Sequence, residues 1–216
     1  MTTTVSAHAS NRVPLWLKFF YTAFMIVLVP VYWHHYGPTN FLYFCDVALF
    51  LTLAGLWLDS SLLISMCAVG ILAPQALWVL DFVVNFLFGV SLIGMTDYMF
   101  KHENSLFLRG LSLFHGWLPF LLVYLVWRLG YDRRALPAWT VLAWALILIC
   151  FFFMPPPDPN AGLIPVNINY VWGPSDSVAQ TWVSPRAWLS GMIIGMPLLL
   201  FWPVHILLNL YAPKPE

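Results

Sequence analysis

Apolar runs of membrane length recur from one end of this chain to the other, and that repetition constrains the fold more than any other feature. They cover residues 14–33, 41–58, 62–80, 111–129, 138–154 and 187–211, with a further apolar stretch at 82–100. Each is continuous rather than alternating, so each reads as a helix and not as a barrel strand. Hydrophobic residues make up 61% of the 216 and charged ones 8%, which leaves too little polar surface to cover a soluble core of this length. A bilayer also requires every backbone polar group to be satisfied within the chain, which helices do. The expected fold is therefore an all-α polytopic membrane bundle, a single transmembrane domain over 1–216. Net charge is zero and there is no basic patch, so nucleic acid is not an expected partner.

Charge placement sets the expected topology. With six spans, Arg12, Lys18, Arg128, Arg133, Arg134 and Lys214 share one side, against Lys101, Arg109 and Arg186 on the other. By the positive-inside rule the first side is cytoplasmic, and both termini lie there. A seventh span at 82–100 weakens that asymmetry. The stretch holds Asn85, Gly89, Gly94, Thr96 and Asp97 and leads into the wet Lys101-His102-Glu103-Asn104. It is expected to be a re-entrant or interfacial helix on the outer side. Residues 155–186, rich in Pro, Asn and Ser, form the long outer loop. The N-terminal segment lacks a small-residue cleavage site after a short apolar core, so the first run reads as a retained span. Asp59-Ser60-Ser61 reads as the cap between the second and third spans.

In this topology the second and fourth spans both start on the outer side. Cys45 and His115 then lie at matching depth, about 6–8 Å below that interface at 1.5 Å per residue. The long loop faces the same side. Asp46 beside Cys45 is an acid inside a span, which marks a site by default. A thiol and an imidazole at one depth suit acyl transfer: the imidazole takes the thiol proton, and the thiolate attacks an ester carbonyl. The resulting oxyanion needs donors, and Asn167 and Asn169 of the loop could supply them. Asp46 could orient His115 or meet a polar headgroup. The bland readings are inert packing for Cys45, a hydrogen-bonded core residue for His115, and turn chemistry for the Asn-x-Asn-Tyr segment. Cys67 and Cys150 have no polar neighbours in sequence and read as packing. No metal-ligand spacing occurs. Haem is a minor alternative that would pair His34 or His35 with His115. No cofactor is expected.

Three short segments carry a family resemblance: FLYFCDVALFL around Cys45, LSLFHGWLPF around His115, and NINYVWG with Asn167, Asn169 and Tyr170. In order and spacing the chain resembles the YwaF-like six-span integral-membrane acyltransferase family, itself distantly similar to the androgen-induced-gene lipid hydrolases. The sequence departs from that pattern at the apolar Phe41–Phe44 run, at Asp46, and in the length of the 81–109 region. The resemblance implies acyl transfer from membrane lipid through a thioester on Cys45, with His115 as base and a lysolipid or water as acceptor. It leaves Asn167, Asn169, Tyr170 and Asp46 as substrate or oxyanion contacts. The alternatives from other classes are a non-catalytic structural subunit partnered by other membrane subunits, and a small-solute or cofactor carrier. A structural subunit would have flat apolar faces and no groove beside Cys45. A carrier would have an internal repeat, and none is seen.

Overall fold

A computed structural model describes residues 13–100 and 104–215. Every regular element among the described residues is helical. Five helical stretches are long and apolar enough to cross a membrane: Leu15–Tyr36, Ser61–Phe88, Leu106–Leu129, Ala135–Phe153 and Pro185–Tyr211. A sixth, Phe44–Trp57, is apolar but shorter. The chain is thus a multi-pass integral membrane protein. Arg12 and Lys101, which enter the charge count, lie outside the described residues, as does the segment preceding the first helix.

We number the helices α1 (Leu15–Tyr36), α2 (Phe44–Trp57), α3 (Ser61–Phe88), α4 (Leu106–Ser112), α5 (Phe114–Leu129), α6 (Ala135–Phe153), α7 (Pro185–Met196) and α8 (Trp202–Tyr211). A single 3-10 turn, Pro38–Leu42, joins α1 to α2, and a π turn, Pro197–Phe201, joins α7 to α8. Helix α3 is the centre of the bundle and packs against α2, α5 and α6. Its approach to α6 depends on Gly70, because a Cβ there would overlap the ring of the fully buried Trp139. Small residues let membrane helices approach in this way.

Three boundaries differ from the expectation. The stretch 82–100 is not a separate re-entrant or interfacial helix. Its first seven residues are the last two turns of α3, since nothing before Gly89 interrupts that helix. Gly89 ends it in the left-handed conformation, with φ of 67°. The chain then folds back on Asp81, which is fully buried. The carboxylate accepts from the backbone N–H of Leu92, Ile93 and Thr96 and from the Thr96 hydroxyl, at 2.7–2.9 Å. Asp81 is therefore a pin for the returning chain. The fourth span begins at Leu106 rather than at residue 111, with a break at Leu113 between α4 and α5. The second helix begins at Phe44, because residues 38–42 wind as the 3-10 turn.

The tight turn between α2 and α3 holds to expectation in one respect. Ser60 caps α3 by accepting from Leu63 N–H. Asp59 is not a cap: it sits in the left-handed region (φ 46°), accepts from Val13 N–H and pairs with Lys18 Nζ at 3.0 Å.

Candidate functional site

The amino end of α2, the middle of α3, the α4–α5 break and the long loop meet around one cavity of about 540 Å³. Cys45, Asp46, His115, Asn169 and Tyr170 all line it; Asn167 does not. Ile71, Leu77, Met192, Met196 and Leu200 add apolar surface to its walls.

Cys45 occupies the first turn of α2, so its position depends on how that helix starts. The starting N–H of Phe44 has no partner within its own helix. It donates to Asn169 Oδ1 at 3.0 Å, from a residue 125 positions away, while Asn169 Nδ2 donates to the Leu42 carbonyl at 2.9 Å. The loop thereby clamps the chain on both sides of Tyr43. The Cys45 thiol donates to Asp46 Oδ2 at 3.7 Å. That oxygen also accepts from Asn40 Nδ2 at 3.3 Å, and Oδ1 has no partner.

His115 is set by the break at Leu113. Gly116 N–H bonds to Leu113 O, which leaves the Ser112 carbonyl open. His115 Nδ1 lies 2.8 Å from that oxygen. A carbonyl only accepts, so Nδ1 carries the hydrogen and a neutral ring presents Nε2 as a lone pair. The imidazole is stacked between Phe114 (ring centroids 4.0 Å apart) and Trp78 (4.8 Å). The Ser112 carbonyl thus does the orienting that Asp46 was expected to do; Asp46 bonds to Asn40 and Cys45 instead.

The Asn-x-Asn-Tyr segment adopts a conformation that explains its composition. Asn167, Asn169 and Tyr170 all have positive φ, between 53° and 60°. Asparagine tolerates that region well, whereas for a tyrosine it is uncommon. Both amides are already used. Asn167 Nδ2 donates to the carbonyls of Gly173 and Ser175, and its Oδ1 accepts from Trp172 N–H. Asn169 Nδ2 donates to Leu42 O and to Cys150 Sγ at 3.6 Å. Neither has an N–H left for an oxyanion. Their placement makes Asn167 the organiser of the loop and Asn169 the clamp on α2. Tyr170 O accepts from Trp188 Nε1, which ties the loop to α7. The burial of the Tyr170 phenol pushes its pKa above the ordinary tyrosine value.

Cys150, read from sequence as without polar neighbours, lies beneath Asn169. Cys67 donates to Ala48 O at 3.5 Å inside the core. Among the described residues, no group of three His, Cys, Asp or Glu side chains could hold a metal ion. Four side chains that the sequence did not mark as site residues line the cavity with buried polar atoms that have no partner or only some of them paired: Gln75, Trp78, Asn40 through its bond to Asp46, and Asn104, which was expected to be wet and is buried. Gln75 had a usable signal, being an uncharged amide in the middle of an apolar span immediately after Pro74.

Compared with protein-family models, with curated proteins and with solved structures, the chain matches none.

Proposed function

We propose that this protein is a membrane-embedded lipid acyltransferase or lipid-ester hydrolase that works through a thioester on Cys45. The single observation that carries the reading is the shared cavity. A thiol from α2 and an imidazole with its Nε2 lone pair open, from α5, line one chamber at the same end of the bundle. The chamber is polar around Cys45, Asp46 and the Gln75 amide and apolar along Leu77 and α7, which suits an amphiphile whose ester lies by Cys45 and whose chain lies against Leu77, Met192 and Leu200. Its volume is in the range of small-molecule sites, ~300–1,000 Å³. A purely structural subunit would need no such chamber. Kinship with the YwaF-like family belongs to the same proposal and rests on the three segments around Cys45, His115 and Asn169.

The topology that goes with it has six spans, with the Gly130–Arg134 turn and both ends of this chain on the cytoplasmic side. Helix α2 is about 21 Å long at 1.5 Å per residue. With the Pro38–Leu42 turn it crosses most of a hydrocarbon layer of ~30 Å. The outer loop and the cavity then face away from the cytoplasm.

The chemistry balances without a cofactor. Sγ attacks the ester carbonyl carbon; a C–S bond forms and the carbonyl electron pair moves onto oxygen. The thiol proton goes to His115 Nε2, and Asp46 holds the thiol until then. Of the two acceptors on the wall, an imidazole is ordinarily about 2 pH units less basic than a thiolate and a carboxylate about 4–5, so the imidazole is the better match. Collapse breaks the C–O bond, and the proton passes from Nε2 to the leaving alcohol. A lysolipid hydroxyl or water then attacks the thioester, gives its proton to Nε2, and the departing thiolate takes it back.

The test is turnover of a phospholipid with a labelled acyl chain by the purified full chain in vesicles. Cys45→Ala is expected to abolish turnover, and His115→Gln to reduce it by about 100-fold or more. Unaltered turnover in Cys45→Ala would rule the thioester out.

A further inference from the structure

An ester attacked by Cys45 develops an oxyanion, and the asparagines expected to receive it have no N–H to spare. Gln75 does. It is 2% exposed, and neither Nε2 nor Oε1 has a hydrogen-bond partner. It shares the cavity wall with Cys45 and His115.

Three observations aim it at the reacting group. Ile71, Gln75 and Trp78 follow one another at helical spacing and all line the cavity, so they form one face of α3. Trp78 on that face stacks on the His115 ring, so the surface presenting the Gln75 amide also seats the imidazole. Pro74, also on the wall, has no N–H and interrupts the helix ladder just where the amide projects. A buried amide with both ends unpaired is not a packing device, since leucine fills a similar volume without desolvating a polar group. The amide is not tied by any bond, so it can turn its N–H toward an incoming oxygen. The other buried side-chain nitrogens and oxygens without a partner on this wall do not fit the role. Asp46 Oδ1 and Asn104 Oδ1 accept only, and the Trp78 indole belongs to the ring that carries His115.

We propose that Gln75 is the oxyanion donor of this site, its Nε2–H bonding the ester carbonyl oxygen as the C–S bond forms. This rests on the thioester reading above. No atom is transferred by Gln75; it stabilises negative charge that returns to the carbonyl when the alcohol leaves.

The experiment compares wild type, Gln75→Leu, Gln75→Glu and Gln75→Asn in vesicles with the labelled phospholipid, measuring kcat, KM and the rate of acyl labelling of Cys45. Inhibition by a lipid trifluoromethyl ketone is measured alongside, because its adduct with a thiol carries the same tetrahedral oxyanion. Gln75→Leu and Gln75→Glu are expected to lose about 100-fold or more in kcat, the effect of removing one oxyanion donor. KM should stay within about threefold, and the ketone should weaken by a similar factor to kcat. Gln75→Asn, which keeps the N–H on a shorter arm, should recover part of the rate. A rise in KM with kcat intact would make Gln75 a ground-state contact and overturn the proposal. So would unchanged kinetics in the folded Gln75→Leu protein. If wild type itself never labels Cys45, the thioester reading fails and this one with it, an outcome distinct from labelled wild type with indifferent Gln75 variants.

Discussion

The two ends of the bundle treat their buried polar side chains differently. At the end where α2 meets α3 and α5 meets α6, they are paired. Lys18 meets Asp59 at 3.0 Å, Asp132 N–H donates to Ser65 Oγ, and Arg134 forks onto the Asp132 carboxylate at 2.7–3.2 Å. Tyr131 bonds His205 at 2.6 Å and, through its N–H, the Pro213 carbonyl. At the opposite end, Asp46 Oδ1, both ends of the Gln75 amide and Asn104 Oδ1 have no partner, and all these residues face one cavity. Unsatisfied buried polar groups cost stability. The cavity end pairs Asp81, Asn167 and Asn169 as fully as the first end pairs its own groups, and leaves only the atoms that face the cavity open, which is where an entering molecule would find partners. The difference lies in partner count: the first cluster is closed by its own bonds, and the second has atoms left over.

Variants at each end can break or sharpen that contrast. The largest effect is expected at the paired end. Asp59→Ala leaves the Lys18 ammonium, 4% exposed, without its partner. Removing one member of a buried pair costs about 3 kcal/mol or more. Denaturation in detergent should show that loss, and lipid turnover per folded molecule should not change. A stable Asp59→Ala protein would mean that the pair is incidental.

At the open end the sign reverses. Gln75→Leu removes an unpaired amide and keeps the volume, so the fold is expected to be unchanged or more stable, by up to about 1 kcal/mol, as activity falls. Clear destabilisation would show that the amide has a structural partner and that the contrast is false.

The smallest effect is a pH dependence in the Gly130–Arg134 turn. The hydrogen bonds from Arg134 hold the Asp132 carboxyl below its ordinary range. A carboxylate whose folded-state pKa is depressed stabilises the fold above its unfolded value, near pH ~4, and loses that contribution as pH falls through the lowered folded value. Asp132→Asn should therefore unfold slightly more easily than wild type at neutral pH. The gap should close as pH drops below about 4. A gap that persists in acid would assign the effect to geometry rather than to charge.

Much of this organisation is legible in the sequence. Hydropathy alone gives the helical membrane fold, because a run such as 138–154 has no other stable state in lipid. Reading the second and fourth spans as starting on one side brings Cys45 and His115 to one end, although the equal depth counted for them does not survive the observed starts at Phe44 and Leu106. Three features were not legible, for reasons that are local. The continuation of α3 through Asp81 depends on Leu92, Ile93 and Thr96 folding back to satisfy that carboxylate, a contact between segments that no periodicity reports. The orienting partner of His115 is a backbone carbonyl freed by a helix break, and sequence carries no signature for it. Asn167 and Asn169 attract attention as amides, but their left-handed backbone and full set of hydrogen bonds make them supports. Gln75 is the reverse case: a single polar letter in an apolar span, easy to pass over, with its amide uncommitted.

The most direct measurement is mass spectrometry of the Cys45 peptide after the purified protein has been incubated with vesicles of a phospholipid of known acyl chain. The expected result is the mass of that acyl group on Cys45, removed by neutral hydroxylamine, absent in Cys45→Ala and diminished in His115→Gln. An unmodified Cys45, or acylation that falls equally on Cys67 and Cys150 and survives His115→Gln, would contradict a thioester mechanism and return the cavity to the status of a binding site without chemistry.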